Sequence, residues 1–135
     1  MVEQPNFEAL LVEVDGRIGR VTLNRPDKLN ALSRQLMSEI VELGAWLKLR
    51  EDIRVVILSG AGRSFSAGFD LNDFSSASAG ESPRIAADLG RLATNALTDV
   101  PQLTIAAVHG HCVGGGVVFV AACDLRVATT ETTFI

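Results

Sequence analysis

Two glycine-containing segments hold the residues of this chain best suited to chemistry. The first reads Arg63-Ser64-Phe65-Ser66-Ala67-Gly68-Phe69-Asp70-Leu71, the second His109-Gly110-His111-Cys112-Val113-Gly114-Gly115-Gly116. A run of three glycines entering a helix leaves backbone N–H groups unpaired, unshielded by side chains and aligned with the positive end of the helix dipole. Such a place attracts an anion, and a further N–H from the first segment aimed at the same point makes an oxyanion hole. The plainer reading is that the glycines only permit close packing of helix on strand. His109 and His111 flank Gly110, and histidine is the residue type most often used for proton transfer, although a loop histidine bonded to its neighbours is the commoner case. Ser66 lies in a stretch close to a nucleophile elbow, and the second segment is close to a lipase oxyanion motif. The elbow requires glycine where Ser64 stands, and no convincing acid and histidine follow in order.

The elements that must position these segments are legible in outline. Leu10 to Val14 and Ile18 to Leu23 are β-prone runs around Asp15-Gly16, a hairpin signal. Leu36, Ile40, Leu43 and Leu47 then recur at helical spacing, with Ser33 placed to cap and Lys48 and Arg50 near the other end, predicting a helix from Ser33 to Leu49. Val55 to Leu58 is a continuous apolar run that suits a strand covered on both faces. The Ser/Ala/Gly-rich stretch from Ser75 to Ser82 has nothing larger than alanine to bury and reads as a mobile loop. Ser82-Pro83 opens a further helical stripe through Ile85, Leu89, Leu92, Ala96 and Val100. Leu103 to Val108 reads as a second buried strand, the glycine triplet to about Cys123 as a buried helix, and Leu125 to Ala128 as a third strand. Strands alternating with helices imply an α/β fold with a parallel sheet and right-handed crossovers, in which loops at the carboxyl ends of neighbouring strands converge on one crevice.

Composition narrows the function classes. Of 135 residues, 47% are hydrophobic and 21% charged, and 12 Lys+Arg against 16 Asp+Glu give a net charge of −4. Six Phe, one Trp and no Tyr on an acidic chain supply neither the basic stripe nor the stacking platform of a nucleic-acid binder. The stretch from Val100 to Cys123 lacks Asp, Glu, Lys and Arg, but Pro101, Gln102, two histidines and four glycines interrupt it, so it reads as strand and helix rather than a membrane span. Cys112 and Cys123 have nothing near them in sequence to complete a metal quartet. They read as reduced core thiols, which with the lack of a leader pattern at Met1-Val2-Glu3-Gln4-Pro5 predicts a cytoplasmic protein without metal.

Taken together, Asn24-Arg25-Pro26-Asp27-Lys28-Leu29-Asn30-Ala31-Leu32, then Val55-Val56-Ile57-Leu58-Ser59-Gly60 leading into Ser64-Phe65-Ser66-Ala67-Gly68-Phe69-Asp70-Leu71, then Ile105-Ala106-Ala107-Val108-His109-Gly110 and the glycine triplet resemble the crotonase superfamily of enoyl-CoA hydratases and isomerases. The resemblance runs from Phe7 to Phe134. Four motifs in order at matching spacing make it specific where any one alone is weak.

The resemblance implies a crotonase-like ββα superhelix that binds an acyl-CoA thioester and polarises its carbonyl with two backbone N–H groups. They fall here on Phe69 and Gly115. It also implies that Ala67, Asp70, Leu71 and Asn72 border the acyl-CoA, with Lys28 and Leu29 near its nucleotide end and coenzyme A present only as part of the substrate, with no permanently bound cofactor. Read from the residues alone, Lys28 beside a turn is as readily just solvated, and Asp70 suits bracing its own loop better than acting as a base. In hydratases of the family a catalytic glutamate lies three residues after the middle glycine, where this chain has Val118. The second carboxylate lies beyond Phe134. His111, four residues before Gly115, is the more suggestive of the two histidines as an acid/base; Asp73, Glu81 and Glu131 are also available, while Asp124 reads as a brace at the junction of helix and strand. Family members are nearly twice this long, and their C-terminal helices complete the CoA pocket and build trimers or hexamers. On that basis residues 1–135 are the incomplete N-terminal core of one domain, truncated before the C-terminal helical region and poorly soluble alone. The alternatives are a CoA-thioester-binding pseudoenzyme and, less well supported, a serine hydrolase acting through Ser66.

Overall fold

A computed structural model of the chain describes residues 3–75 and 83–135. The chain opens with a hairpin, β1 (Leu10–Asp15) and β2 (Ile18–Leu23), paired antiparallel from Leu10 opposite Leu23 to Asp15 opposite Ile18. A short 3-10 turn, Pro26–Lys28, leads to α1 (Arg34–Leu47). Then follow β3 (Val55–Gly60), α2 (Leu71–Ser75), α3 (Pro83–Asp99), β4 (Leu103–Val108), β5 (His111–Cys112), α4 (Gly115–Ala122), β6 (Leu125–Ala128) and β7 (Thr133–Phe134).

The main sheet has five strands in the order β1-β2-β3-β4-β6, and every pairing after the hairpin is parallel. The alternation expected from the sequence is therefore present, and the loops after β3 and β4 leave the sheet at the same end. Register sets which side chains share a face. Val21, Leu58 and Ala106 stand side by side across three strands, and all three are buried in the core with Leu36, Ile40, Leu43 and Leu47 of α1 and Ala93 and Leu97 of α3. The face of α1 that does this is the stripe read from its spacing. Ser33 caps it, its Oγ accepting from the Leu36 N–H at 3.1 Å, and the whole element packs beside α3.

Several expectations are corrected. The helix ends at Leu47 with Lys48 as its C-cap, and Arg50 lies past the end because its guanidinium turns to Asp52 at 2.7 Å and stacks over Trp46. β3 and β4 bury one face, not two: Val56, Leu58, Ala106 and Val108 are buried, while Val55, Ile57, Ile105 and Ala107 are half-buried. The helices cover one side of the sheet, and the row Ile57, Ile105 and Leu125 lies on the other. The stretch from Ser75 to Ser82 read as a mobile loop overlaps α2 at Ser75 and otherwise lies outside the described residues, as does Ser82 of the expected cap. Cys112 and Cys123 are buried free thiols, as read. Burial pushes the Cys112 thiol up to about 11 and raises Cys123 as well. Among the described residues no helix is long and apolar enough to cross a membrane, and no cluster of His, Cys, Asp and Glu could hold a metal ion.

Candidate active site

The loop after β3 is held by atoms that arrive from the turn before α1. Asn30 is fully buried with φ of +54°, and its Nδ2 donates to the carbonyls of Ala61 (2.8 Å) and Ser64 (2.9 Å). Its own carbonyl accepts from the Ser66 hydroxyl at 2.8 Å, and the Ser66 Oγ in turn accepts from the Gly68 N–H at 3.2 Å. The Ala67 N–H donates to Leu29 O at 2.9 Å. Ser66 is 0% exposed and its hydroxyl is committed on both sides, so it is not an accessible nucleophile and the serine-hydrolase reading loses its key residue.

One further pairing sets the direction of the next amide. Leu32 and Phe69 form an isolated parallel bridge, in which the Leu32 N–H donates to Gly68 O (2.7 Å) and the Asp70 N–H to Leu32 O (3.1 Å). In a parallel bridge the residues flanking Phe69 supply the bonds, so the N–H of Phe69 itself points to the opposite side. Among the described residues, an accounting of amides from Phe65 to Asp70 finds a partner for every N–H except that of Phe69. The same accounting from Val113 to Val118 pairs Val113 with Ser66 O, Gly114 with Ile135 O, Gly116 with Val113 O, and Val117 and Val118 with Gly114 O. Only Gly115, the first residue of α4, is left. Gly115 is buried, and a buried main-chain N–H without a partner is uncommon enough to require a reason; Gly115 and Phe69 border one space.

That space is a cavity of about 640 Å³. Leu32, Met37, Phe69, Gly115, Val118 and Phe119 form its wall, with Arg91, Thr94 and Asn95 of α3 at one side. The two loops approach so closely that glycine is needed at Gly68, and a side chain at Gly115 would have to displace the end of Leu32. A Cβ on Gly68 would lie 2.9 Å from Val113 O and 3.7 Å from Gly115 N; one on Gly115 would lie 2.8 Å from Leu32 Cδ1 and 3.5 Å from the Phe69 ring. With a missing side chain at each point, a ligand atom can reach the N–H groups, and Gly115 adds the positive end of a helix.

The remaining expected site residues fall in different places. Lys28 is exposed on the 3-10 turn, and Leu29 follows it in a left-handed conformation, half-buried. Ala67 is half-buried beside it, while Leu71 and Asn72 are exposed at the start of α2. Asp70 braces its loop: Oδ1 accepts from the Asp73 N–H at 3.1 Å, and Oδ2 takes both Nη atoms of Arg25 at 3.1 Å. Burial works to raise the Asp70 pKa, but the Asp73 N–H and the Arg25 guanidinium outweigh it and hold the carboxyl below its ordinary value. Asp124 also braces, its carboxylate accepting from the N–H (2.9 Å) and hydroxyl (3.3 Å) of Thr104.

His111 does not line the cavity. It stands in β5, where alternation sends Cys112 inward and leaves His111 exposed. It borders a separate depression with Leu29, Arg63, Ser64, Gly110 and Glu131. His109 is also engaged elsewhere, its Nε2 lying 2.6 Å from Gly62 O. Val118 does line the cavity and is 48% exposed to it and to solvent. No carboxylate is among the described lining residues. Arg25 and Asn30 are functional supports that residue types alone did not single out. Asp70-Leu71-Asn72-Asp73 was a local signal for α2, since a capping aspartate followed by an acid three residues on is a helix-start pattern.

Comparison with known proteins bears on the whole arrangement. Residues 13–135 match the model of the enoyl-CoA hydratase/isomerase family. The mitochondrial Delta(3,5)-Delta(2,4)-dienoyl-CoA isomerase of Mus musculus is 37% identical over 144 residues, covering 98% of this chain and 44% of that protein. The peroxisomal Delta(3,5)-Delta(2,4)-dienoyl-CoA isomerase of Arabidopsis thaliana is 34% identical, covering 99% and 52% respectively. Among solved structures, an enoyl-CoA hydratase of Mycobacterium smegmatis superposes with a TM-score of 0.85 at 34% identity, over 94% of this chain and 50% of that one. The chain thus spans about half the length of these relatives, and its α/β architecture is the crotonase fold over that span. On the strength of the family match across residues 13–135, this chain belongs to the enoyl-CoA hydratase/isomerase family.

Proposed function

We propose that the chain supplies the thioester-gripping part of an acyl-CoA hydratase/isomerase-type enzyme, with the N–H groups of Phe69 and Gly115 donating to the thioester carbonyl oxygen. The observation that carries this reading is that, among the described residues, these are the N–H groups without a partner in the segments 65–70 and 113–118, and that both residues line one cavity. Polarising the carbonyl stabilises the enolate that forms when a proton leaves the neighbouring carbon, and so eases proton transfer along an unsaturated acyl chain. The apolar wall of Leu32, Met37, Phe69, Val118 and Phe119 suits a hydrocarbon acyl group. Coenzyme A enters as part of the substrate. Lys28, Leu29, Ala67, Leu71 and Asn72 border its path, and Asp70 contributes by holding the loop, its carboxylate oxygens being occupied. Isomerisation is preferred to hydration because position 118 is valine, which transfers no proton, and because the two curated relatives above are named as dienoyl-CoA isomerases, although the solved structure above is named as a hydratase. The full-length protein assembles as a trimer or a pair of trimers in this reading.

A second reading has one observation in its favour. With no carboxylate among the described lining residues, the chain could bind acyl-CoA without turning it over. Turnover of crotonyl-CoA and of a 3-enoyl-CoA by the full-length protein separates the two. The geometry itself is tested by crystals carrying a coenzyme A thioester: the carbonyl oxygen is expected within hydrogen-bond distance of both N–H groups. Density with the oxygen elsewhere, or with those N–H groups bonded within the protein, would remove the basis of the proposal.

A further inference from the structure

We propose that Arg25 is a positioning residue, whose guanidinium grips the Ala31 carbonyl and the Asp70 carboxylate together and thereby keeps the Phe69 N–H turned into the cavity. The inference rests on the reading of Phe69 as an oxyanion donor. The segments 31–32 and 68–70 meet through a single isolated bridge with two hydrogen bonds. Before the bridge the stretches are also joined by the Ala67 N–H to Leu29 O and the Ser66 hydroxyl to Asn30 O, and beyond it by the Arg34 N–H to Asp73 Oδ2, but no regular ladder continues the bridge itself, so the direction of the Phe69 amide depends on what is tied at Ala31 and Asp70. Ala31 and Asp70 are the residues next to that bridge on its two segments. Arg25 Nη1 donates to both, to Ala31 O at 2.6 Å and to Asp70 Oδ2 at 3.1 Å, while Nη2 donates again to Asp70 Oδ2 at 3.1 Å. The guanidinium therefore lies across the bridge as a third tie.

The tie is anchored. The Arg25 N–H donates to Asn30 Oδ1 at 2.8 Å, and the Arg25 carbonyl accepts from the N–H groups of Lys28 and Asn30, each at 2.9 Å. Through Asn30 Nδ2 the same turn holds the start of the loop after β3. The Arg25 and Asp70 side chains are 21% and 13% exposed, so the pair is much less screened than a surface salt bridge. A planar fork that serves a carbonyl and a carboxylate at once is a task for arginine. Lysine offers a single charged nitrogen and cannot reproduce both bonds in the same geometry.

The test reads the carbonyl directly. Crotonyl-CoA labelled with carbon-13 at the thioester carbonyl is bound to the full-length protein and its stretching frequency measured by isotope-edited Raman spectroscopy. The wild type is expected to lower the frequency relative to free substrate. Arg25→Gln is expected to lose most of that shift, while affinity for crotonyl-CoA falls by no more than about tenfold, the worth of one hydrogen bond. Where the substrate is turned over, kcat falls with KM little changed. Arg25→Lys and Asp70→Asn are measured alongside, with melting temperature and circular dichroism as the check on folding; each is expected to lose part of the shift. If the wild type itself shows no shift, the oxyanion reading fails. If the wild type shows it and any folded variant of the three keeps it whole, the role of Arg25 is overturned while the oxyanion reading stands. Loss of the fold in all three also overturns it, by making Arg25 a determinant of overall stability instead of amide direction.

Discussion

Replacing Phe69 by phenyllactate, its α-hydroxy counterpart, turns one amide into an ester. It deletes a single N–H and leaves the ring, the bridge to Leu32 and the cavity wall in place. Because that N–H has no partner among the described residues, its loss removes none of the internal bonds described above. The stability cost arises only from Gly68, whose ester carbonyl accepts less strongly from the Leu32 N–H now bonded at 2.7 Å; this costs at most about 1 kcal/mol. The same exchange at Ala67, with lactate, weakens the Ser66 carbonyl that accepts from Val113 and also deletes the N–H that donates to Leu29 O at 2.9 Å. The additional lost bond costs about 0.5–1.5 kcal/mol. Stability therefore ranks the Phe69 ester above the Ala67 ester. Activity is expected in the reverse order. Removing one oxyanion donor costs about 2.7–4 kcal/mol of barrier, or 10²–10³ in kcat, whereas the Ala67 ester is expected within about tenfold of the parent. Urea midpoints and steady-state turnover of crotonyl-CoA and a 3-enoyl-CoA by the full-length protein supply both orders. A Phe69 ester with parental kcat, or rate losses that follow stability in both variants, would refute the assignment of this amide.

Three shorter predictions follow from the same structure. Gly68→Ala combines a φ of +89° with a Cβ 2.9 Å from a backbone carbonyl and is expected to cost about 1–3 kcal/mol, more than Gly115→Ala, whose Cβ meets the movable end of Leu32; comparison of the two urea midpoints decides. The Cys112 thiol has a folded pKa of about 11 against about 8.5 in an unfolded chain, so the unfolded state loses its proton first; stability is expected to be flat with pH below about 8.5 and to fall between there and 11, and Cys112→Ala should shallow that slope in alkaline melts, part of it remaining with Cys123. Val118→Glu places a carboxylate on the cavity wall one helical turn from Gly115 and is expected to speed deuterium exchange next to the thioester carbonyl by about tenfold or more, read by mass spectrometry of recovered substrate; an unchanged exchange rate would show that position 118 does not reach the reacting carbon.

The parts of this molecule that could be read in advance are those set by local rules. Ser33 and the stripe Leu36, Ile40, Leu43 and Leu47 define α1 through a cap and a period, and the β-branched runs define β3 and β4. What escaped is long-range. β5 and β7 are two residues each and exist only because His111 and Cys112 pair with Thr133 and Phe134, a register no local pattern encodes. The Arg25–Asp70 pair joins positions 45 apart in sequence. His111 was misjudged as a neighbour of the glycine triplet because nearness in sequence says nothing about which side of a strand a residue takes, and β5 turns it away. The second face of the sheet was misjudged because an apolar run such as Val55 to Leu58 has the same appearance whether one or both of its faces are covered.

The amide accounting also yields a thermodynamic expectation that does not depend on any proton-transferring group. In the proposed geometry the N–H groups of Phe69 and Gly115, which have no partner among the described residues, face one cavity, and an N–H shut away from water without a partner carries a cost of up to about 1–3 kcal/mol. A ligand that supplies one oxygen to both relieves that cost and forms two bonds; an otherwise identical ligand without the oxygen relieves neither. Crotonyl-CoA and the crotyl thioether of coenzyme A, in which the carbonyl is replaced by a methylene, differ in that oxygen and share the nucleotide, the pantetheine arm and the acyl carbons. With a net gain of about 0.5–1.5 kcal/mol per bond, the thioester is expected to bind roughly 5–150-fold more tightly. Calorimetry on the full-length protein, or on a variant that does not turn the thioester over, measures the ratio. Equal affinities would mean that the cavity recognises coenzyme A and a hydrocarbon chain alone, and that the two amides are left unpaired for some cause other than a carbonyl.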